Sequence, residues 1–98
     1  MTQYSFEQIK EMLTKSITEH GAEAELSFYI NEKEYMIIIY DDHCSFQRCE
    51  YKDGSGEINF KTLDELYNAE LIDNIILSRD WSKIEELSCY EFDYLGYW

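Results

Sequence analysis

The residues best suited to chemistry in this chain are His20, His43, Cys44, Cys49 and Cys89, its only soft metal ligands. A zinc site usually draws its ligands in close pairs, with cysteines roughly two to four residues apart. Cys44 and Cys49 stand five apart in a segment that reads as one strand, so their side chains point to opposite faces. They read as small, semi-buried cysteines beside a turn histidine, and no metal or other cofactor is expected. Asp41-Asp42 next to His43 suggests hydrolytic or hard-cation chemistry. An acidic pair between two strands is also ordinary turn composition, and no second acidic motif completes a cation cage. Ser45 and Ser55 lack both an elbow motif and a base with a placed orienter. Gly54-Ser55-Gly56 is too short for a phosphate loop, and no helix start follows it. An enzyme would need His43 and two carboxylates gathered in one cleft, so the sequence favours a non-catalytic protein.

The stronger signal is charge: 21 acids against 8 Lys and Arg give a net −13 on 98 residues. Residues 1–18 and 43–63 are each neutral, whereas residues 19–42 carry −6 and residues 64–98 carry −7. Such a field repels nucleic acid and anionic membrane and attracts basic protein surfaces. The acids expected to contact a partner are Glu32, Glu34, Asp41, Asp42, Asp64, Glu65, Asp73, Glu85 and Glu86. They can act together only where the two acidic segments adjoin. Nine tyrosines exceed what a small core wants, since each buried hydroxyl needs a partner. Tyr29, Tyr40, Tyr90, Tyr94 and Tyr97 are therefore expected to be partly exposed, either as interface residues or as cross-strand clamps.

The elements that must position these residues follow from the hydrophobic pattern. Ser5 and Gln8 form a capping box, and Phe6, Ile9, Leu13 and Ile17 recur at helical spacing up to about His20, with Gly21 as the stop. From Ala24 the period becomes two, with Leu26, Phe28 and Ile30 on one face and Glu25, Ser27 and Tyr29 on the other. Tyr35–Tyr40 is apolar on both faces and reads as a central strand. Cys44–Tyr51 and Glu57–Lys61 follow as strands about the hairpin loop Asp53-Gly54-Ser55-Gly56. Thr62 and Glu65 open a short helix, Ile72-Asp73-Asn74 interrupts, and Leu77, Trp81, Ile84 and Leu87 fit a further helix. The tail from Cys89 to Trp98 is read as a fifth strand or an ordered aromatic arm. The fold class is α+β: an N-terminal helix, a four- or five-stranded antiparallel meander, and two short helices near the C-terminus.

Composition bounds the rest. Acidic chains are often disordered, but 45% hydrophobic and 16% aromatic residues supply enough surface for one folded domain over residues 1–98. No apolar run approaches the roughly 20 residues needed to span a bilayer, and the N-terminus lacks a signal-peptide pattern. An odd number of cysteines without framework spacing suits a reducing compartment. The expected location is the cytoplasm.

The strands at Tyr35–Tyr40 and Cys44–Tyr51, the run Phe60-Lys61-Thr62-Leu63-Asp64-Glu65-Leu66, and then Asn68-Ala69, Ile72-Asp73-Asn74, Trp81 and Ile84-Glu85-Glu86-Leu87 carry a family resemblance. The chain resembles small acidic α+β proteins of Firmicutes and their phages. In size, charge and helix-then-sheet order it is also similar to phage-encoded anti-CRISPR proteins. The resemblance implies a cytoplasmic inhibitor that occupies the site where a Cas9-type nuclease reads DNA. The expected partner is accordingly the basic surface of a nucleic-acid-binding protein, with no direct binding of nucleic acid or membrane. The alternative is a non-catalytic housekeeping domain that forms a homodimer through its aromatic tail, Tyr94–Trp98.

Overall fold

A computed structural model describes residues 4–49 and 56–98 of the chain. Its first helix, α1, spans Phe6–Thr18 and starts at the reciprocal cap expected from the sequence. Gln8 N–H donates to Ser5 Oγ at 3.2 Å, and Ser5 N–H donates to Gln8 Oε1 at 2.8 Å. Gly21, at φ 61°, turns the chain left-handed, so that Ala22 N–H reaches back to the Ser16 carbonyl at 2.7 Å.

Strands β1 (Glu25–Ile30) and β2 (Lys33–Ile39) form a hairpin closed by Asn31-Glu32, both at positive φ. Strand β3 (Cys44–Arg48) pairs with β2, and β4 (Ile58–Phe60) pairs with β3. Strand β3 ends at Arg48 with Cys49 in a turn, short of the strand read as Cys44–Tyr51, and Glu50, Tyr51 and the loop residues Asp53-Gly54-Ser55 lie outside the described residues. Helix α2 (Leu63–Asn68) is capped by Thr62, whose Oγ1 accepts Glu65 N–H at 3.1 Å. After a 3₁₀ turn at Ile72–Asn74 come the single turn α3 (Leu77–Asp80), a second 3₁₀ turn (Trp81–Lys83), β5 (Glu85–Ser88) and α4 (Tyr90–Leu95).

The five strands are antiparallel in the order β4-β3-β2-β1-β5. The first four make the expected meander, with β2 at its centre as its two-sided apolar pattern requires. The helices all gather on one face. Phe6, Ile9 and Leu13 of α1, Leu66 of α2, Leu77 of α3 and Phe92 of α4 share one core with Leu26, Phe28, Ile30, Tyr35, Ile37, Cys44 and Phe46 of the sheet. Each large side chain so buried contributes about 1.5–3 kcal/mol.

Two segments differ from the sequence reading. Leu77, Trp81, Ile84 and Leu87 do not lie on one helix; the chain makes two short turns and then the fifth strand. The tail is neither a strand nor an arm. It is α4, ended by Gly96 at φ 72°, and Tyr97 and Trp98 fold back onto the core.

Candidate partner-binding surface

Strand β5 decides where the acids stand. It pairs with β1 through Ser27↔Ser88 and Tyr29↔Glu85, while Tyr29 also faces Glu34 across the β1–β2 ladder. Cross-strand partners share a face, so Glu34, Tyr29 and Glu85 form one row over three neighbouring strands. The two acidic segments of the chain therefore adjoin.

The same parity defines the whole face turned away from the helices. Glu25, Ser27 and Tyr29 come from β1, Glu34, Met36 and Ile38 from β2, and Ser45 and Gln47 from β3. Ile38 is buried but lies outside the helix-side core. Ser45 Oγ donates to Glu57 Oε2 at 2.9 Å, which draws that carboxylate over the sheet. Burial raises the Tyr40 hydroxyl above its ordinary pKa, and Glu57, Glu23 and Glu25 push it the same way, against a hydrogen bond with Ser45. Carboxylates thus crowd this end of the face.

Compensating cations sit elsewhere. Lys10 pairs with Asp64 at 2.9 Å, Lys15 with Glu11 at 3.2 Å and Arg48 with Asp73 at 3.1 Å. Arg79 and Lys83 both hold Asp80, at 2.9 and 3.5 Å. Lys61 lines a groove against α1, and Lys33 shares the parity of Tyr35, on the helix side. Among the described residues, none of the helix-free sheet positions carries a Lys or Arg.

No family model, no curated protein and no solved structure matches this chain.

The acids expected to contact a partner divide into three sets. Glu32, Glu34, Glu85 and Glu86 gather at the end of the sheet that carries the β1–β2 turn. Asp41, Asp42 and Asp64 line a groove of about 430 Å³ at the opposite end, between α1 and the β2–β3 turn. Glu65, exposed on α2, lies near Cys44 at that same end, where its charge helps hold the thiol protonated. Strands of this length separate the two ends by roughly 20 Å. Asp73 stands apart because it is occupied by the fold: it accepts Tyr35 Oη at 2.7 Å and Arg48 Nη1 at 3.1 Å.

The groove also brings His43 beside Asp41, Asp42 and Asp64. His43 Nδ1 meets Asp42 Oδ1 at 2.6 Å, its ring stacks on Tyr40 at 4.3 Å, and this contact holds the Asp42 carboxyl below its usual range. A carboxylate that orients an imidazole is half of a nucleophilic site. Among the described residues no hydroxyl or thiol is hydrogen-bonded to that imidazole, and Asp64 is already paired with Lys10. No group of three or more His, Cys, Asp or Glu among the described residues could hold a metal ion.

Glu25 and Glu57 join the acids on this face, although neither is among those expected from the sequence. The outward parity of Glu25 was visible in the β1 alternation. Glu57 belongs to the neutral segment 43–63, whose balance gives no sign that its carboxylate lies over the sheet. The five tyrosines expected at the surface are all at least partly exposed, with Tyr90 and Tyr94 at 74% and 79% and stacked on each other along α4. Tyr97 and Trp98 instead contact Phe92, and Trp98 Nε1 donates to Asp93 Oδ1 at 2.6 Å. Within the tail Tyr94–Trp98, Tyr97 and Trp98 thus pack on the chain's own core, while Tyr94 stays exposed.

Proposed function

We propose that this chain is a non-catalytic binding protein whose acidic surface occupies a basic, phosphate-contacting surface of a nucleic-acid-binding protein. The observation that carries the reading is the β1–β5 pairing, which merges two acidic segments on a sheet whose helix-free positions, among the described residues, carry no Lys or Arg. Carboxylates accept the guanidinium fork in the bidentate way that phosphates do, so a cleft built for a nucleic-acid backbone accommodates them. The resemblance to anti-CRISPR proteins makes a Cas9-type nuclease the specific partner and inhibition of its DNA reading the specific outcome.

The test is binding of the purified chain to a guide-loaded Cas9-type nuclease, titrated from low to high salt with duplex target DNA as competitor. Mimicry requires affinity that falls steeply with salt and mutual exclusion of chain and DNA. Affinity that stays flat, or simultaneous binding of both, overturns the proposal.

A further inference from the structure

We propose that the helix-free face of the sheet is the docking surface, and that its occupant is a basic protein surface bearing arginines around an apolar centre. This rests on the reading above and adds where the contact is made. Met36 sits on the central strand with Ser27 and Gln47 as its cross-strand neighbours, and Tyr29, half-buried like Met36, continues the apolar centre above the buried Ile38. Glu25, Glu34, Glu57 and Glu85 surround it, from four different parts of the sheet. An apolar centre inside a charged rim is the usual anatomy of a protein interface, and Met adapts its shape to a facing surface.

Charge selects the occupant. Among the described residues the rim has carboxylates of one sign only, so a second copy laid on the same face would set like charges against each other. Nucleic acid and anionic lipid are repelled for the same reason. The central strands spend their backbone groups on the ladders, so a contact on their face is made by side chains. A guanidinium-bearing protein surface satisfies both the rim and the centre.

The experiment compares two double variants with the same total charge change, Glu34→Lys with Glu85→Lys on this face and Glu19→Lys with Glu70→Lys on exposed helix-side positions. The probe is a short arginine-rich peptide with central leucines, its binding followed by titration and by backbone amide shifts, with near-UV circular dichroism checking the fold of each variant. The face assignment requires a loss of about tenfold or more in affinity for the first pair only, and amide shifts centred on Ser27, Tyr29, Met36 and Gln47. Equal weakening by both pairs, shifts centred on the α1 groove, or self-association of the chain through Met36 overturns it. Failure of the unmodified chain to bind the peptide at all overturns the acidic-binder reading itself. Should either lysine pair unfold the chain, Glu34→Gln with Glu85→Gln gives the same comparison with a smaller loss.

Discussion

The Glu91 carboxylate accepts the backbone N–H of Glu25 at 2.9 Å, across 66 residues of chain. On β1 the N–H groups of alternate residues point toward β5, but β5 stops at Ser88, opposite Ser27. Glu91, on the first turn of α4, supplies the missing acceptor and extends the edge ladder by one position. It also fixes Glu25, a member of the proposed rim. Glu91→Ala is expected to cost about 1 kcal/mol and to speed hydrogen exchange at the Glu25 amide, with Glu91→Gln retaining most of the protection. Unchanged exchange in Glu91→Ala would show that the contact is dispensable.

Glu32 and Glu86 occupy backbone positions that favour glycine. Asn31 and Glu32, at φ 51° and 68°, form the tight β1–β2 turn, in which the second residue is normally Gly. Glu86, at φ 56°, sits in the register shift between the Ser27 and Tyr29 pairs, a bulge that again favours Gly. A side chain in this region costs about 1 kcal/mol. Glu32→Gly and Glu86→Gly should each raise stability by about that amount in urea unfolding while weakening binding to a basic partner. A gain in stability with no loss in binding would place these two acids outside the interface.

The bulge also explains the part of the fold that was misread. Helix α1 and strand β1 follow directly from periodicity because each keeps one period throughout, and β2 to β4 follow from a two-sided apolar run and the turn residues between them. In β5 the extra residue at Glu86 sets Ile84 and Leu87 three apart, which is helical spacing, although both turn toward the same core. The preceding run Leu77 to Trp81 is a true helical turn, and the two signals fused into one apparent helix. The candidate surface was legible only in part. Local alternation showed which way Glu25 and Tyr29 point, but the pairing of β1 with β5 is non-local, and nothing in either segment names its neighbour.

Asp80 ties acid sensitivity to one buried carboxylate. Arg79 hydrogen-bonds it through Nε and Nη2 at 3.0 and 2.9 Å, and Ile76 N–H donates to it at 3.1 Å. The Arg79 bonds are the main cause that holds its carboxyl well below the usual carboxylate range, with Ile76 N–H and Lys83 assisting against the cost of burial. A carboxyl depressed by folding stabilises the folded state above its unfolded pKa, about 3.9, and that contribution is lost as pH falls further. Asp80→Asn should therefore be less stable than the unmodified chain at pH 7, by about 2 kcal/mol. The gap should narrow below about pH 4. Urea midpoints at pH 7 and pH 3 check this, and a gap that is constant with pH would assign the loss to packing.

The three thiols report on the sheet face. Burial pushes Cys44 up to about 11 and Cys89 up to about 12, so both stay protonated and slow to react at neutral pH. Cys49 is less deeply placed; burial raises it first, and Glu34 and Glu25 add to the shift. It follows β3 directly, and its N–H donates to the Glu34 carbonyl at 3.0 Å, which sets it beside the Glu34 end of the helix-free face. Alkylation by iodoacetamide should therefore begin at Cys49. Its rate should rise with pH, as thiolate accumulates, and with salt, as the Glu34 and Glu25 charges are screened. A partner docked on the face should slow that reaction, while leaving the two buried thiols as unreactive as before. Mass spectrometry of tryptic peptides resolves the three sites. Undiminished labelling of Cys49 in a saturated complex would move the contact to another surface, most directly to the groove between α1 and the β2–β3 turn.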